Sequence, residues 1–261
     1  MAELESTKIN YYWRIFGTGF SFVFFGLGGV FLALTLLPAV RLWPGTTYQR
    51  NRRARKVVHN TFRYFIWQMG FLGVNTMNIE GRQQLRETKG QLVIANHPSL
   101  IDVVILIACI PNCCCIVKQA LWQNPFISGV VRWTGYISNS DPVSLIAECR
   151  KVLDEGCSII VFPEGTRTSD ASALKFQRGA ANIAVRCKAD ILPVIIRPDL
   201  PTLRKGEPWY SIPSRCPVFS VKTLPPIEAS SVVGEQAELS LATRQLNRYL
   251  QNYYQGLMCY A

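Results

Sequence analysis

Acidic residues are missing from one long stretch of this sequence: no Asp or Glu occurs between Glu5 and Glu80. The first 70 residues hold nine Lys or Arg against two Glu, so +7 of a formal net charge of +11 lies in the first quarter of the 261-residue chain. Histidine is scarce as well. There are two in all, which leaves little choice for a base near neutral pH and no plausible zinc set with the cysteines. The nine cysteines include no Cys-x-x-Cys pair. Cys113, Cys114 and Cys115 are consecutive in an apolar run, and Cys109, Cys149, Cys157 and Cys187 have apolar or helical neighbours. This is not a disulfide framework; it fits buried free thiols in a reducing compartment. Internal repeats and low-complexity tracts are absent too.

Charged residues are 17% of the chain and hydrophobic ones 49%, against a usual charged share of about 25%. That is ample material for one large domain, or a domain with an appendage, and for a membrane-facing surface besides. Ile15 to Val40 is a run of 26 residues without a charge, bracketed by Trp13 and Trp43. As a helix it would be about 39 Å long, enough to cross a hydrocarbon core of about 30 Å. It is too long for a signal peptide and no A-x-A site follows it. Gly26, Gly28, Gly29 and Pro38 could break it, so that it dips into one leaflet and returns. Arg50, Arg52, Arg53, Arg55 and Lys56 come next, a basic cluster that favours an anionic lipid surface over nucleic acid. By the positive-inside rule this side is cytoplasmic. Val57, Val58, Phe62, Phe65, Ile66, Met69 and Leu72 then recur at helical spacing over residues 53–74. They predict either a basic interfacial helix or a core helix, with His59 outside any chemistry.

After Gly73 short apolar strands alternate with helices. Strands are expected at Val74 to Glu80, Gln91 to Asn96, Cys113 to Val117, Ser158 to Phe162, Ile191 to Ile196 and Val218 to Lys222, the last closing the sheet. Helices are expected at Ser99 to Ile110, Gln119 toward Trp133, Ser144 to Glu155 (stopped by Gly156), Gly179 to Cys187 and Glu235 to Leu257. Residues 81–90 read as a polar link. Continuous apolar strands of this kind predict an α/β fold, with a mainly parallel central sheet covered by helices and an N-terminal helical membrane-binding segment. The division expected is 1–73 for the membrane-associated helices and 74–261 for the α/β domain.

Two clusters leave this sheet at one edge. In QLVIANHPSLID, Gln91 to Asp102, an apolar strand delivers His97 to a strand–helix turn, where open α/β sheets place their sites. Asp102 can reach back to one ring nitrogen, fixing the tautomer and leaving the other nitrogen to take a proton. Ser99 and Asp102 also fit a capping box, which explains Asp102 without catalysis. FPEGTRT, Phe162 to Thr168, follows another buried strand. Gly165 permits close backbone approach, Thr166 offers a hydroxyl, and Arg167 is a planar fork for phosphate that Glu164 beside it could hold. A plain surface turn is the competing reading.

Taken in order, these blocks resemble the glycerolipid acyltransferases typified by bacterial 1-acylglycerol-3-phosphate O-acyltransferase. NHPSLID is similar to that family's His-x4-Asp block. Lys118 with Pro125, Gly129 and Gly135 to Ser138 resembles the second block, and FPEGTRT the Glu-Gly-Thr-Arg block. FQRGA at Phe176 to Ala180, with Leu192-Pro193-Val194, supplies the remainder. The resemblance spans roughly Val74 to Leu224. It implies transfer of a fatty acyl chain from acyl-CoA or acyl-carrier protein to the hydroxyl of a lysolipid, most simply 1-acylglycerol-3-phosphate, giving phosphatidate at the cytoplasmic face of the inner membrane. His97 and Asp102 would be catalytic. Glu164, Gly165, Thr166, Arg167, Lys118 and Arg178 would bind substrate, with no metal or redox cofactor. The amides opening the Ser99 helix are candidates for the oxyanion.

One departure bears on the acceptor: the second block of the family usually ends in an Arg, and here GYISNSDP puts Asp141 nearby. Arg132, Lys175 and Arg178 are possible compensation. A different acceptor, such as an amino-acid lipid or a specialised metabolite lipid, is therefore an alternative. A non-catalytic membrane lipid-binding module is another, from a different class.

Overall fold

The computed structural model describes residues 2–124, 128–167, 174–234 and 238–259. Helix α1 (Ala2–Phe31) passes through a π-helical turn (Leu32–Leu36) into α2 (Leu37–Leu42), and α3 (Thr47–Phe71) follows. Then come β1 (Thr76–Glu80), α4 (Arg82–Glu87), β2 (Leu92–Ala95), α5 (Asp102–Cys109), β3 (Cys113–Val117), α6 (Gln119–Trp122), α7 (Ser128–Thr134), β4 (Ile137–Ser138) and α8 (Pro142–Asp154). The chain continues with β5 (Ser158–Val161), α9 (Gly179–Cys187), β6 (Ile191–Pro198), β7 (Val218–Thr223), α10 (Ala229–Val233) and α11 (Leu239–Cys259). Pro125, Thr168 and the expected helix start at Glu235 lie outside the described residues.

The seven strands form one sheet in the order β1-β7-β6-β2-β5-β3-β4. Every neighbouring pair is parallel except β6 and β7. Parallel strands buried on both faces need apolar side chains throughout, and Leu92 to Ala95 meet that with no exposed residue. β7 does not close the sheet as expected: it lies inside β1, which is the edge. Residues 199–217 return the chain without a crossover helix, so β7 runs back against β6.

The connection β2–α5–β3 steps over β5 in one direction, and β5–α9–β6 steps over β2 in the other. Right-handed crossovers therefore put α5 and α9 on opposite faces of the sheet. α3 and α7 join α5 on its face; α8 and α11 join α9. The crevice where the chain diverges lies beyond the carboxyl ends of β2 and β5.

The N-terminal helices depart from the sequence reading in three ways. The apolar helix does not break at Gly26, Gly28 and Gly29. A π turn instead precedes Pro38, with the Leu37 N–H bonded five residues back to the Leu32 carbonyl; the wider turn accommodates a ring that lacks an N–H. α3 begins with a capping box between Thr46 and Gln49 and returns antiparallel to α1, with Gln68 donating to Ser21 Oγ at 3.2 Å. Its expected lipid-facing stripe is turned inward: Val58, Phe65 and Met69 are buried against the domain, and Tyr64, Trp67 and Phe71 are exposed instead. His59 is buried there too, its Nδ1 2.7 Å from the Ile107 carbonyl, and burial pushes its pKa down. It is a packing residue.

The basic cluster also divides. Arg55 is buried, donating from Nε to the Thr134 carbonyl at 3.1 Å and from Nη2 to the Gly135 carbonyl at 3.4 Å, at the end of α7 where a cation is favoured. Arg53 holds the carbonyls of Trp43 and Pro44 at 3.2 and 2.8 Å. Arg52 and Lys56 remain exposed. The cysteines at 109, 113, 114, 115, 149 and 157 are free and buried.

Tyr254 of α11 pins the sheet beneath the site. Beside Pro193, which brings no N–H to the ladder, its buried hydroxyl donates to the Ile94 carbonyl at 2.5 Å and accepts from the Val194 N–H at 3.2 Å. Burial is the main cause raising its pKa, so it stays a neutral donor. Tyr254→Phe leaves both groups unpaired and is expected to cost about 1–3 kcal/mol of unfolding free energy, measured as a lower urea midpoint at unchanged slope.

Candidate active site

The β2–β5 register pairs Ile94 with Val161. Three residues further along each strand stand His97 and Glu164, side by side at the diverging crevice. The His97 N–H donates to Glu164 Oε1 at 2.8 Å, joining the two turns. Asn96 anchors the same turn on its other side, with its Nδ2 donating to the Ile196 carbonyl at 2.8 Å and its Oδ1 accepting the Ile196 N–H at 2.7 Å. The His97 ring stacks on Phe162, centroids 4.3 Å apart.

His97 Nδ1 lies 2.7 Å from Asp102 Oδ2. The same oxygen accepts the Ser99 N–H at 2.7 Å, and Oδ1 accepts the Ser99 hydroxyl at 2.5 Å. The capping box does not form, since Ile101 is the N-cap of α5 and no side chain caps it; the carboxylate orients the histidine and braces the turn at Ser99. Asp102 is 0% exposed whereas the His97 side chain is 19% exposed. Burial pushes the Asp102 pKa up, and the bonds from His97 and Ser99 oppose that rise. A buried anion with three donors stabilises a cation on its neighbour. With Nδ1–H on the carboxylate, Nε2 is the ring nitrogen left to take a proton.

The other sequence candidates are partly gathered here. β3 pairs Cys115 with Ile160, so Lys118 leaves the sheet level with Pro163, and it is exposed. Gly165 adopts φ +69°, a left-handed conformation that suits glycine, and Thr166 is exposed beside it. Arg178, at the N-cap of α9, lines a polar cleft of about 760 Å³ with Lys175, Gln177, Asn247 and Gln251. The segment touches the Glu164 turn through a 2.7 Å bond from the Gln177 N–H to the Pro163 carbonyl.

Four expectations are corrected. Glu164 does not hold Arg167: it faces His97, and Arg167 Nη1 instead donates to the carbonyls of Leu203 and Arg204 at 3.2 and 3.3 Å. Two amides expected for an oxyanion are already taken, that of Ser99 by Asp102 and that of Leu100 by the Leu203 carbonyl at 3.1 Å. The helix itself starts at Asp102 rather than Ser99. Asp141 is the N-cap of α8, accepting the Ser144 N–H at 3.0 Å ahead of Pro142, and its presence needs no ligand. Among the described residues no three His, Cys, Asp or Glu side chains converge as metal ligands would.

An apolar groove of about 720 Å³ opens on the α5 face. It starts at Val103 and Val104, directly after Asp102, and runs between α1, α3 and α7 past Phe25, Phe65, Val131 and Tyr136. The sequence alone did not show it, because its walls come from segments up to about 100 residues apart, each readable as ordinary core. Phe162 was likewise legible only as the start of a block, and nothing in the sequence marks Leu203.

Comparison with known proteins places this arrangement. A family model described as "Acyltransferase" matches residues 76–197. The chain is 26% identical over 224 residues to 1-acyl-sn-glycerol-3-phosphate acyltransferase alpha of Mus musculus, covering 82% of this chain and 73% of that one. It is 28% identical over 176 residues to the 1-acyl-sn-glycerol-3-phosphate acyltransferase of Helicobacter pylori, covering 65% and 72%. In fold it is similar to the crystal structure of the 1-acyl-sn-glycerophosphate (LPA) acyltransferase, PlsC, from Thermotoga maritima, with a TM-score of 0.68 at 21% identity over 98% of this chain and 96% of that one. Residues 76–197, which carry His97, Asp102 and the Glu164 turn, are the part of the chain that matches the acyltransferase family model.

Proposed function

We propose that this enzyme moves a fatty acyl group from a thioester, acyl-CoA or acyl-carrier protein, to the free hydroxyl of 1-acylglycerol-3-phosphate, forming phosphatidate at a membrane surface. The observation that carries the reading is the His97–Asp102 pair, followed directly in the chain by Val103 and Val104, which line the apolar groove. A groove of this size and lining suits an acyl chain, and in this reading the chain lies there with its thioester carbonyl toward the histidine.

His97 Nε2 takes the proton of the acceptor hydroxyl as its oxygen attacks the thioester carbonyl. The tetrahedral adduct collapses, the C–S bond breaks, and the imidazolium returns its proton to the departing thiolate. Asp102 holds the ring and stabilises the imidazolium. Glu164 fixes the turn that carries the histidine. Arg167, engaged through Nη1 alone among the described residues, offers Nε and Nη2 to the acceptor phosphate, with Gly165, Thr166, Lys118 and Arg178 around it. Asp141 is accounted for as a helix cap, and with no Arg in the GYISNSDP block this reading assigns the acceptor phosphate to Arg167.

The lipid surface is supported by α1. Residues Ile9–Leu42 are long and apolar enough to cross a membrane. Ile9, Trp13, Phe16, Phe20, Val23, Leu27, Phe31 and Leu34 form an exposed stripe along it, far more contiguous apolar area than a soluble surface usually shows. Its opposite side is seated on the domain, where Arg14 donates to the Ser214 carbonyl at 2.7 Å. A helix fastened along its length in this way favours lying in one leaflet over spanning. The basic excess after the segment supports the cytoplasmic face.

The test is to offer the purified protein labelled acyl-CoA and acyl-carrier protein with a panel of lysolipids and identify products by mass. Labelled phosphatidate as the main product supports the reading, and no acylated product from any acceptor rejects it in favour of a binding module. The groove makes its own prediction. Gly28 lines it, and a side chain there would meet nothing within 4 Å. Gly28→Phe should fill the groove and shift preference toward shorter chains, by on the order of tenfold for each methylene that no longer fits, read from competition between acyl-CoA lengths.

A further inference from the structure

Residues 199–217, between β6 and β7, reach from the catalytic crevice to the exposed side of α1. At the crevice end Leu203 is buried and has φ +52°, a conformation that is uncommon for a bulky residue and persists only where the surroundings impose it. Its carbonyl accepts both the Leu100 N–H, inside the His97–Asp102 turn, and Arg167 Nη1; the Arg204 carbonyl accepts Arg167 as well. Two of the polar groups that define the site are thus held by this one turn. At the far end Trp209 packs on α1 against Phe22, with ring centroids 6.5 Å apart. It lies so close to Gly19 that a Cβ there would stand 3.0 Å from the ring. Gly19 and Phe22 lie on the flank of the α1 stripe formed by Phe16, Phe20 and Val23. Trp209 remains 45% exposed and Tyr210 56%, so the two aromatic rings extend that stripe on the side of the loop.

We propose that the β6–β7 loop is a second lipid-contacting element, that Trp209 and Tyr210 enter the same bilayer surface as the α1 stripe, and that this contact holds the turn positioning Arg167 and the His97 segment. The proposal rests on the membrane reading above. Its occupant is a lipid bilayer because the aromatic pair is continuous with an exposed apolar face, carries polar ring groups suited to the headgroup level, and has Lys205 exposed beside it. Leu203 is a positioning residue in this account. The consequence is an enzyme whose acceptor site is ordered by the surface that supplies the acceptor.

Two measurements on the full chain test it. Hydrogen exchange with and without phosphatidylcholine–phosphatidylglycerol vesicles should show protection over residues 204–212 and over 98–101 on vesicle addition. Separately, empty vesicles should raise the rate of the wild type on a short-chain, monomeric lysophosphatidate by on the order of tenfold. The Trp209→Ser/Tyr210→Ser variant should lose most of that stimulation, each protein being compared with its own vesicle-free rate. Unchanged exchange over 204–212 in the wild type, or equal stimulation of variant and wild type, overturns the proposal. A wild type that is inactive on every acceptor yet protected over 204–212 would instead reject the proposed reaction and leave the lipid contact standing.

Discussion

His97→Ala is expected to lower the rate of acyl transfer by about 10³-fold or more while leaving the fold intact. A positioned base contributes roughly 10²–10⁴-fold, and here no neighbour can replace it: the only other histidine, His59, is buried under α3 with its Nδ1 at the Ile107 carbonyl. The loss should fall on kcat, since the groove and Arg167 keep their places. The fold survives because His97 holds its turn through its backbone N–H to Glu164, which alanine retains. Loss of the Phe162 stacking contact should cost about 0.5–1.5 kcal/mol. Circular dichroism and a urea titration separate this outcome from simple unfolding.

Asp102→Asn should show the second largest effect, and in a way that divides catalysis from folding. An asparagine carbonyl in the place of Oδ2 still accepts from Ser99 N–H and His97 Nδ1–H. Its NH₂ group, in the place of Oδ1, donates to a Ser99 hydroxyl that turns round. Geometry is kept and the charge is lost, so the imidazolium formed during transfer has no counter-ion. A drop of about 10²–10⁴-fold in kcat is expected, as for orienting carboxylates generally. The stability change has a definite sign with pH. Burial raises the folded-state pKa of Asp102 above its unfolded value. Its contribution is therefore fully present below about pH 4 and is lost as pH rises through the folded pKa. The stability of the wild type relative to the Asn variant should then be greatest in acid and shrink toward neutral pH, seen by thermal melts across that range. A gap that widens toward neutral pH would show instead that the three donors outweigh desolvation.

Much of this arrangement was legible from the chain. The apolar runs at Leu92 to Ala95 and Ser158 to Val161 had to be buried strands. Two buried parallel strands, each followed by a polar block, had to deliver those blocks to one edge. His97 and Glu164 meet for that reason. What could not be read depended on register or on distant partners. Nothing local says that Glu164 turns toward β2 rather than toward Arg167, or that the Ser99 and Leu100 amides are consumed by Asp102 and Leu203. The two-residue strand β4 and the one-turn helix α10 are too short for periodicity to mark, and α4 hides in a run of glutamines and arginines whose only buried anchor is Leu85. α3 was ambiguous for a different reason. Apolar residues at helical spacing look the same whether lipid or α5 covers them, and only the packing shows which.

In the proposed reaction His97 drives transfer of an acyl group from a thioester to the lysophosphatidate hydroxyl. Its most direct test gives wild-type and His97→Ala protein a carbon-labelled acyl-CoA and lysophosphatidate in vesicles, and follows labelled phosphatidate by mass against time. Steady accumulation is expected with the wild type, and a rate at least about a thousandfold lower with the variant. Equal rates from the two proteins would contradict it.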